Sequence, residues 1–284
     1  MYTAPTLPLP VYGEANNRLG KIEAEEGITI LFAVESGSRA WGFPSPDSDN
    51  DVRFFYTRPV SRYLGLTDPP DVINRPIDGV WDVEGWDLGK ALRLMVHKGN
   101  ATVAEWLTSP LIYREHGPFP YRLRDLMKRH ASVEASARHY YGLANSTYKR
   151  NIANRSSVAH AAMSVDGVVA ADLTVVNLKA YLYAFRSACA ISWIERYNEI
   201  PPMTMPALMA LDIMTEDVRT AITDLMNRKA TMGECGTGPR ISPLDSFIEE
   251  KINWVKNSGF DKGGFDPVFA ADAEKLLLDA LGIG

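Results

Sequence analysis

The sequence predicts an α+β protein in which a small mixed sheet with flanking helices precedes a mainly helical second part. Three observations carry this expectation. Residues 27–35 (GITILFAVE) are a short, apolar, β-rich run. Residues 49–57 alternate in polarity, so that on a strand Val52, Phe54 and Tyr56 share one face and Asp49, Asp51 and Arg53 the other. From Asp87 the hydrophobic period becomes helical, with Leu88, Leu92 and Met95 at i, i+4 and i+7.

Taken in order, the N-terminal MYTAPTLPLPVYG has prolines that suggest an extended arm, and it lacks the charged n-region of a secretory signal. Gly27–Glu35 reads as a buried strand. Ser36–Ser48, rich in Gly, Ser and Pro, reads as a loop or a turn leading into a helix start. Asp49–Thr57 is the next strand. Arg58–Asp78 holds four prolines and is expected to be a surface excursion with one short helix near Val60–Leu64. Gly79–Trp86 alternates as a third strand, with Asp82 and Glu84 on one face and Trp81 and Val83 on the other. Asp87 then suits a helix N-cap and Gly99 a helix stop, and Asn100 caps a second short helix through Leu107. Beyond a turn at Gly117–Pro120, helices are predicted over Tyr121–His130, Val133–Arg155, Leu173–Tyr197, Met205–Ala210, Thr215–Lys229, Pro243–Asn257 and Ala270–Leu281, with a loop at Gly233–Ser242. The division implied is an α/β domain over 1–115 and a helical domain over 116–284.

At 284 residues, 46% hydrophobic and 23% charged, the chain has the composition of an ordinary soluble globular protein. No apolar stretch approaches the ~20 residues of a membrane span. Only Cys189 and Cys235 are present, so no disulfide framework is implied, and a reducing cytoplasm fits. The net charge of −5 does not mark a nucleic-acid binder. Residues 1–115 hold 16 acidic and 11 basic groups and the remainder 19 of each, so contact with a polyanion would favour the second half. The five histidines lack zinc-ligand spacing, and no P-loop, G-x-G-x-x-G or G-x-S-x-G string occurs.

The chemistry concentrates in VESGSRAWGFPSPDSDNDVRFFY, residues 34–56. A Gly37-Ser38 turn lets backbone N–H groups approach a triphosphate closely, where a Cβ would obstruct. Asp49 and Asp51, at i and i+2, offer hard oxygen ligands on one face for Mg2+ or Mn2+. Asp in this setting also favours ordinary turns. Ser38 is positioned to donate to a phosphate oxygen. Arg39 would pair with the triphosphate or with Asp47. Arg53, on the face of Asp51, would offset carboxylate repulsion, touch nucleotide, or form a structural ion pair.

Gly-Ser, about ten residues, then Asp-x-Asp resembles the DNA polymerase β-type nucleotidyltransferase superfamily. The longer string GSRAWGFPSPDSDNDVRFFY narrows the resemblance to the predicted RNA repair pathway DNA polymerase beta family (RlaP-type). GWDLGKALRL, GNATVAEWLTSPLIY and LKAYLYAFRSACAISWI extend it over roughly the first 115 residues and part of the rest. The resemblance implies transfer of a nucleoside monophosphate from a nucleoside triphosphate to a hydroxyl, with an RNA end as acceptor. It also implies a third carboxylate on a neighbouring strand. Asp82 lies mid-strand and is preferred; Asp87 follows, with its alternative reading as a helix N-cap, and then Glu84. Because a second-domain helix commonly faces the cleft in this superfamily, Lys179, Tyr183 and Arg186, at i, i+4 and i+7, become candidates for triphosphate charge and base stacking. A solvated basic face is the alternative. Arg138, His139, Tyr148, Lys149, Arg150 and Arg155 interleave cations and aromatics in a manner suited to single-stranded nucleic acid, or to a solvated face. Two other functions stay open: nucleotidylation of a protein or small molecule, and a non-catalytic nucleotide-binding module.

Overall fold

The computed structural model describes residues 6–153, 175–210, 212, 214–232, 235–260 and 265–284. Arg155 and His160, and the first two residues of the helix expected from Leu173, lie outside them.

The N-terminal arm is a helix, α1 (Leu9–Glu26), where an extended segment was expected. Pro8 is its N-cap and Pro10 lies in the first turn, whose N–H groups have no partner within the helix in any case. Gly27 ends it in the left-handed conformation. Ala15, Leu19 and Ile22 form its buried stripe.

Five strands make one sheet: β1 (Thr29–Glu35), β2 (Asn50–Thr57), β3 (Val72–Asn74), β4 (Trp81–Asp87) and β5 (Ile112–Glu115). Their order is β3-β4-β2-β1-β5. β2 and β4 run parallel; the other pairs are antiparallel. A parallel pair needs a crossover, and residues 58–80 supply it. That proline-bearing stretch holds α3 (Val60–Tyr63), as expected, and also β3, which pattern alone did not reveal.

One sheet face packs on α1 through Ile30, Ala33, Val52, Phe54, Tyr56, Val83 and Tyr113. The other is covered by α4 (Leu88–Lys98), α5 (Ala101–Leu107), α6 (Phe119–His130) and α12 (Pro267–Leu281). The core of the first part therefore draws on residues beyond 115, including the last helix of the chain.

The second part holds α7 (Val133–Tyr148), α8 (Leu178–Tyr197), α9 (Met205–Met209), α10 (Glu216–Met232) and α11 (Ser242–Asn257). The long helix expected over Val133–Arg155 widens into a π-helical turn at Lys149–Ala153. α8 begins at Leu178 because the Asn177 side chain accepts the Lys179 N–H at 2.9 Å. Ahead of it, β6 (Val175–Asn177) pairs with β7 (Thr237–Pro239), a short strand inside the expected 233–242 loop. Cys189 and Cys235 are buried, and they are not joined in a disulfide. Among the described residues no helix is long and apolar enough to cross a membrane. The architecture is α+β, with a small mixed sheet followed by mainly helical chain.

Candidate active site

The site begins where β1 ends. Glu35 is fully buried, and its backbone and carboxylate together fix the neighbouring chain. The Ser109 hydroxyl donates to the Glu35 carbonyl at 2.6 Å, the Tyr113 hydroxyl to Oε2 at 2.5 Å, and the Asp51 N–H to Oε1 at 3.0 Å. Burial raises the Glu35 pKa to about 7, opposed by the bonds from Tyr113 and Asp51. Ser36 N–H donates to the Asp51 carbonyl at 2.8 Å, so Asp51 is held to residues 35–36 through both backbone groups.

The chain then turns into α2 (Gly37–Trp41). Gly37 has φ +57°, and a Cβ there would lie 1.9 Å from Asp51 Oδ2 and 2.7 Å from its Cγ. Glycine is thus required twice, for its backbone conformation and for the carboxylate seated against it. The following loop folds back on α2. Ser38 Oγ donates to Ser48 Oγ at 2.9 Å, and Ser48 Oγ also accepts the Ser45 N–H at 2.8 Å. Arg39 clamps the same loop, with Nε on the Asp49 carbonyl at 2.9 Å and Nη2 on the Ser48 carbonyl at 2.6 Å. Sequence reasoning offered Arg39 the triphosphate or Asp47; its guanidinium binds main chain.

The strand register assembles the carboxylates. Asp51 is opposite Asp82, Arg53 opposite Glu84 and Phe55 opposite Trp86 along the parallel β2–β4 pair. Asp51, Arg53, Asp82 and Glu84 consequently share one face, at the end of the strands nearest Gly37. Asp49 is exposed, one residue before β2. The Arg53 guanidinium joins the strands: Nη2 donates to Asp51 Oδ1 at 3.1 Å and Asp82 Oδ2 at 2.7 Å, and Nη1 to the carbonyls of Val52 at 3.1 Å and Asp82 at 2.8 Å. Burial raises the Asp51 pKa; Arg53 opposes that rise, and Asp82 and Asp49 add to it by repulsion.

Among the three competing carboxylates only Asp82 bonds to the Asp51 cluster through Arg53. Glu84, one step along the strand, accepts the Trp86 indole N–H at 2.6 Å. Asp87 is buried and serves as the N-cap of α4, accepting from Gly89 N–H at 2.8 Å and from the Tyr63 hydroxyl at 2.6 Å.

The α8 stripe divides. Tyr183 meets Trp41 edge-on at 5.3 Å and Phe43 at 6.3 Å, which puts this face of α8 beside the helix that follows the Gly-Ser turn. Lys179, one turn earlier, is half-buried. Arg186 is not an open cation, contrary to expectation. It is 2% exposed, bonds Glu105 at 2.8 Å and the Met203 carbonyl at 3.0 Å, and stacks over Trp41 at 4.4 Å. The Tyr140 hydroxyl completes the pair by donating to Glu105. On α7 and its π turn, Arg138 donates to the Phe260 carbonyl, and Tyr148 is buried and donates to Glu249; Lys149 and Arg150 are exposed. The interleaved face expected there for single-stranded nucleic acid is thus partly consumed by packing.

Glu35 and Tyr113 were not singled out by sequence, and Trp41 entered only as part of the string that carries the family resemblance. A carboxylate closing an apolar strand directly before Ser-Gly-Ser was the available signal for Glu35.

For a divalent cation the donor chemistry fits: hard carboxylate oxygens converge, and their repulsion is felt at Asp51. Among the described residues, however, no group of three or more ligand-type side chains is arranged to hold a metal ion. Arg53 takes one oxygen each of Asp51 and Asp82 instead.

The chain is 32% identical over 265 residues to the uncharacterized protein YcgL of Bacillus subtilis (strain 168), covering 93% of this chain and 94% of that one. Among solved structures, a nucleotidyltransferase-like protein from Exiguobacterium sibiricum 255-15 overlaps with a TM-score of 0.32 and 10% identity, over 94% of this chain and 78% of the other; an overlap that slight carries no argument. The family described as RlaP, RNA repair pathway DNA polymerase beta family, matches residues 12–278, and the chain belongs to it.

Proposed function

We propose that this protein is a nucleotidyltransferase that moves a nucleoside monophosphate from a nucleoside triphosphate to a hydroxyl, with an RNA end as acceptor. One observation carries the reading: Asp51 lies against the Gly37 Cα on one side and opposite Asp82 on the other. This is the juxtaposition of a phosphate-approaching turn with paired carboxylates that the reaction needs. The family described for RNA repair supports the acceptor.

In the proposed reaction the acceptor hydroxyl gives its proton to a carboxylate of the site, its oxygen bonds to the α-phosphorus, the bond from that phosphorus to the bridging oxygen breaks, and pyrophosphate leaves. Asp49, Asp51 and Asp82 would hold Mg2+ or Mn2+. Such an ion, when bound, neutralises triphosphate charge and the charge that develops at phosphorus. The protein's own residues do the positioning. Gly37 and Ser38 present backbone N–H groups at the start of α2, and Arg39 holds the 45–49 loop against that helix. Lys179 and Tyr183 are the candidates for phosphate charge and base contact on the α8 side. Arg186 is assigned to structure, as the strut beneath Trp41.

The test is incubation of the purified chain with labelled nucleoside triphosphates and Mg2+ or Mn2+, offering RNA, DNA and total protein as acceptors. Label is expected on RNA and absent with Asp51→Asn. Label on protein alone would shift the acceptor class, and no metal-dependent label on any acceptor or released product would refute catalysis.

A further inference from the structure

The Gly-Ser turn is anchored from two sides, and one of them lies outside the sheet. α2 is five residues long, too short to keep its place without packing. The hydrogen bonds of the Ser38 and Arg39 side chains reach Ser48 and Asp49, so they close residues 38–49 on themselves. On the sheet side the Ser36 N–H bonds the Asp51 carbonyl, and Gly37 stands against the Asp51 carboxylate. On the other side the segment presents two aromatic rings. Phe43 is 3% exposed and belongs to the hydrophobic core of the helical part, with Tyr181, Phe185, Leu244 and Phe247, and Trp41 packs against that core. Among the described residues these are the only two hydrophobic ones from ahead of α7 that do so, and neither belongs to the cores on the two sheet faces. Tyr183 of α8 meets both rings edge-on; Arg186 lies over Trp41 at 4.4 Å, and Lys229 of α10 over Phe43 at 4.9 Å. Both cations are 2% exposed, so these contacts are made away from water, where a cation over a ring is strongest. The Trp41 indole N–H is buried without a hydrogen-bond partner among the described residues, so packing and stacking hold this ring.

We propose that Phe43 and Trp41 are positioning residues of the nucleotide site: they seat the Gly-Ser turn in the core of the helical part, and that core sets where the turn stands against Asp51. The proposal rests on the nucleotidyltransferase reading. The path from seat to turn is short. The Phe43 N–H bonds the Ser38 carbonyl at 3.1 Å, so a shift of Phe43 passes to the turn through one hydrogen bond. Interiors are close-packed, and a ring replaced by a smaller side chain leaves space that its neighbours fill only in part. Loosening the seat therefore moves Gly37 and Ser38 while Asp51 and Asp82 stay fixed by the β2–β4 register.

The test compares Phe43→Leu and Trp41→Phe with Phe247→Leu, which thins the same core where Phe247 meets Phe185 rather than the turn. Two measurements are made on the full chain. Backbone amide exchange needs no nucleotide: Phe43→Leu is expected to speed exchange at residues 38–43 by roughly tenfold, and Phe247→Leu to leave that segment as in wild type. Steady-state kinetics with labelled nucleoside triphosphate and Mg2+ then separate positioning from stability. In Phe43→Leu and Trp41→Phe the KM for the triphosphate is expected to rise roughly tenfold with kcat kept, the scale of one hydrogen bond to a charged phosphate lost from ground and transition states alike. A merely structural residue lowers the folded fraction and with it the apparent kcat, leaving KM unchanged, and this is the result expected for Phe247→Leu. Trp41→Phe, the milder change, carries both measurements if Phe43→Leu does not fold. Exchange at 38–43 that is unmoved by the seat variants, or raised equally by Phe247→Leu, would overturn the seat. Faster exchange with an unmoved KM would reduce the two rings to packing and overturn the positioning role. Absence of nucleotide turnover in wild type, with the exchange result as expected, would overturn the function reading and the positioning role with it while leaving the seat standing.

Discussion

Replacing Gly37 with alanine tests the geometry at the centre of the site, and the structure sets the size of the effect. Residue 37 has φ +57°, where an L side chain costs about 1 kcal/mol or somewhat more. The new Cβ would also stand 1.9 Å from Asp51 Oδ2 and 2.7 Å from Cγ. With Cγ as well as the terminal oxygen in the way, Asp51 must rotate as a whole. It then gives up its bond to Arg53, a charged hydrogen bond of about 1.5–3 kcal/mol. Gly37→Ala should therefore cost about 3 kcal/mol in urea unfolding. Two controls separate the terms. Gly27 has φ +61° and nothing within 4 Å of its ideal Cβ, so Gly27→Ala should show the backbone cost alone, about 1 kcal/mol. In an Asp51→Ala background Gly37→Ala should likewise fall to about 1 kcal/mol, because the carboxylate it displaces is gone. If Gly37→Ala costs the same in both backgrounds to within about 0.5 kcal/mol, the two residues are not coupled and the close approach argued here is wrong.

Two further outcomes follow from the buried charges. Glu35 is raised to about 7 from an ordinary 4.5, so between those values the folded state keeps a proton that the unfolded chain has released. Its contribution to stability is complete below about pH 4.5 and is lost as pH rises to about 7, a change of at most about 3 kcal/mol. Glu35→Gln retains an acceptor for the Asp51 N–H and a partner for Tyr113, and should flatten that part of a stability–pH profile; an unchanged slope would refute the assignment. Arg186→Met leaves Glu105 buried without its cation and should cost about 3–5 kcal/mol in urea unfolding. A loss below about 1 kcal/mol would mean that Arg186 is held loosely enough to serve the cleft after all.

The parts of the fold visible in the sequence are those whose cause is local. β2 and β4 alternate because one face is buried and the other is not, and the Gly-Ser turn is marked by its own residue types, although its glycine was expected to admit a triphosphate and not to seat the Asp51 carboxylate. The parts that were hidden depend on distant partners or on position within an element. Pro8 and Pro10 suggested an extended arm, yet the first turn is where a helix tolerates proline, and the stripe of Ala15, Leu19 and Ile22 is narrow among charges. β3 and β5 are three and four residues long, too short for a period to register, and exist through pairing with β4 and β1. Arg186 matched a basic stripe at helical spacing. Its true partner, Glu105, is 81 residues away in sequence, and no pattern along α8 distinguishes a cation facing a cleft from one buried against a carboxylate.

The site and the core are two ends of one surface. Along β2 the face reads Asp51, Arg53, Phe55, and along β4, in register, Asp82, Glu84, Trp86. Both strands change from charge to aromatic at the same level. At that level Trp106 of α5 covers them, 5.2 Å from Phe55 and 4.5 Å from Trp86. Period-two alternation would have allowed apolar residues along the whole face, and burial would have rewarded them. The charged residues instead occupy the positions nearest the Gly-Ser turn, with one arginine set among the carboxylates. Burial of the Asp51 carboxylate is a continuing cost to the fold, which Arg53 opposes and repulsion from Asp82 and Asp49 adds to. Such local conflict with packing is expected where a protein keeps residues for chemistry rather than stability. This is why the convergence of Asp51 and Asp82 carries more functional weight than the composition of either strand alone.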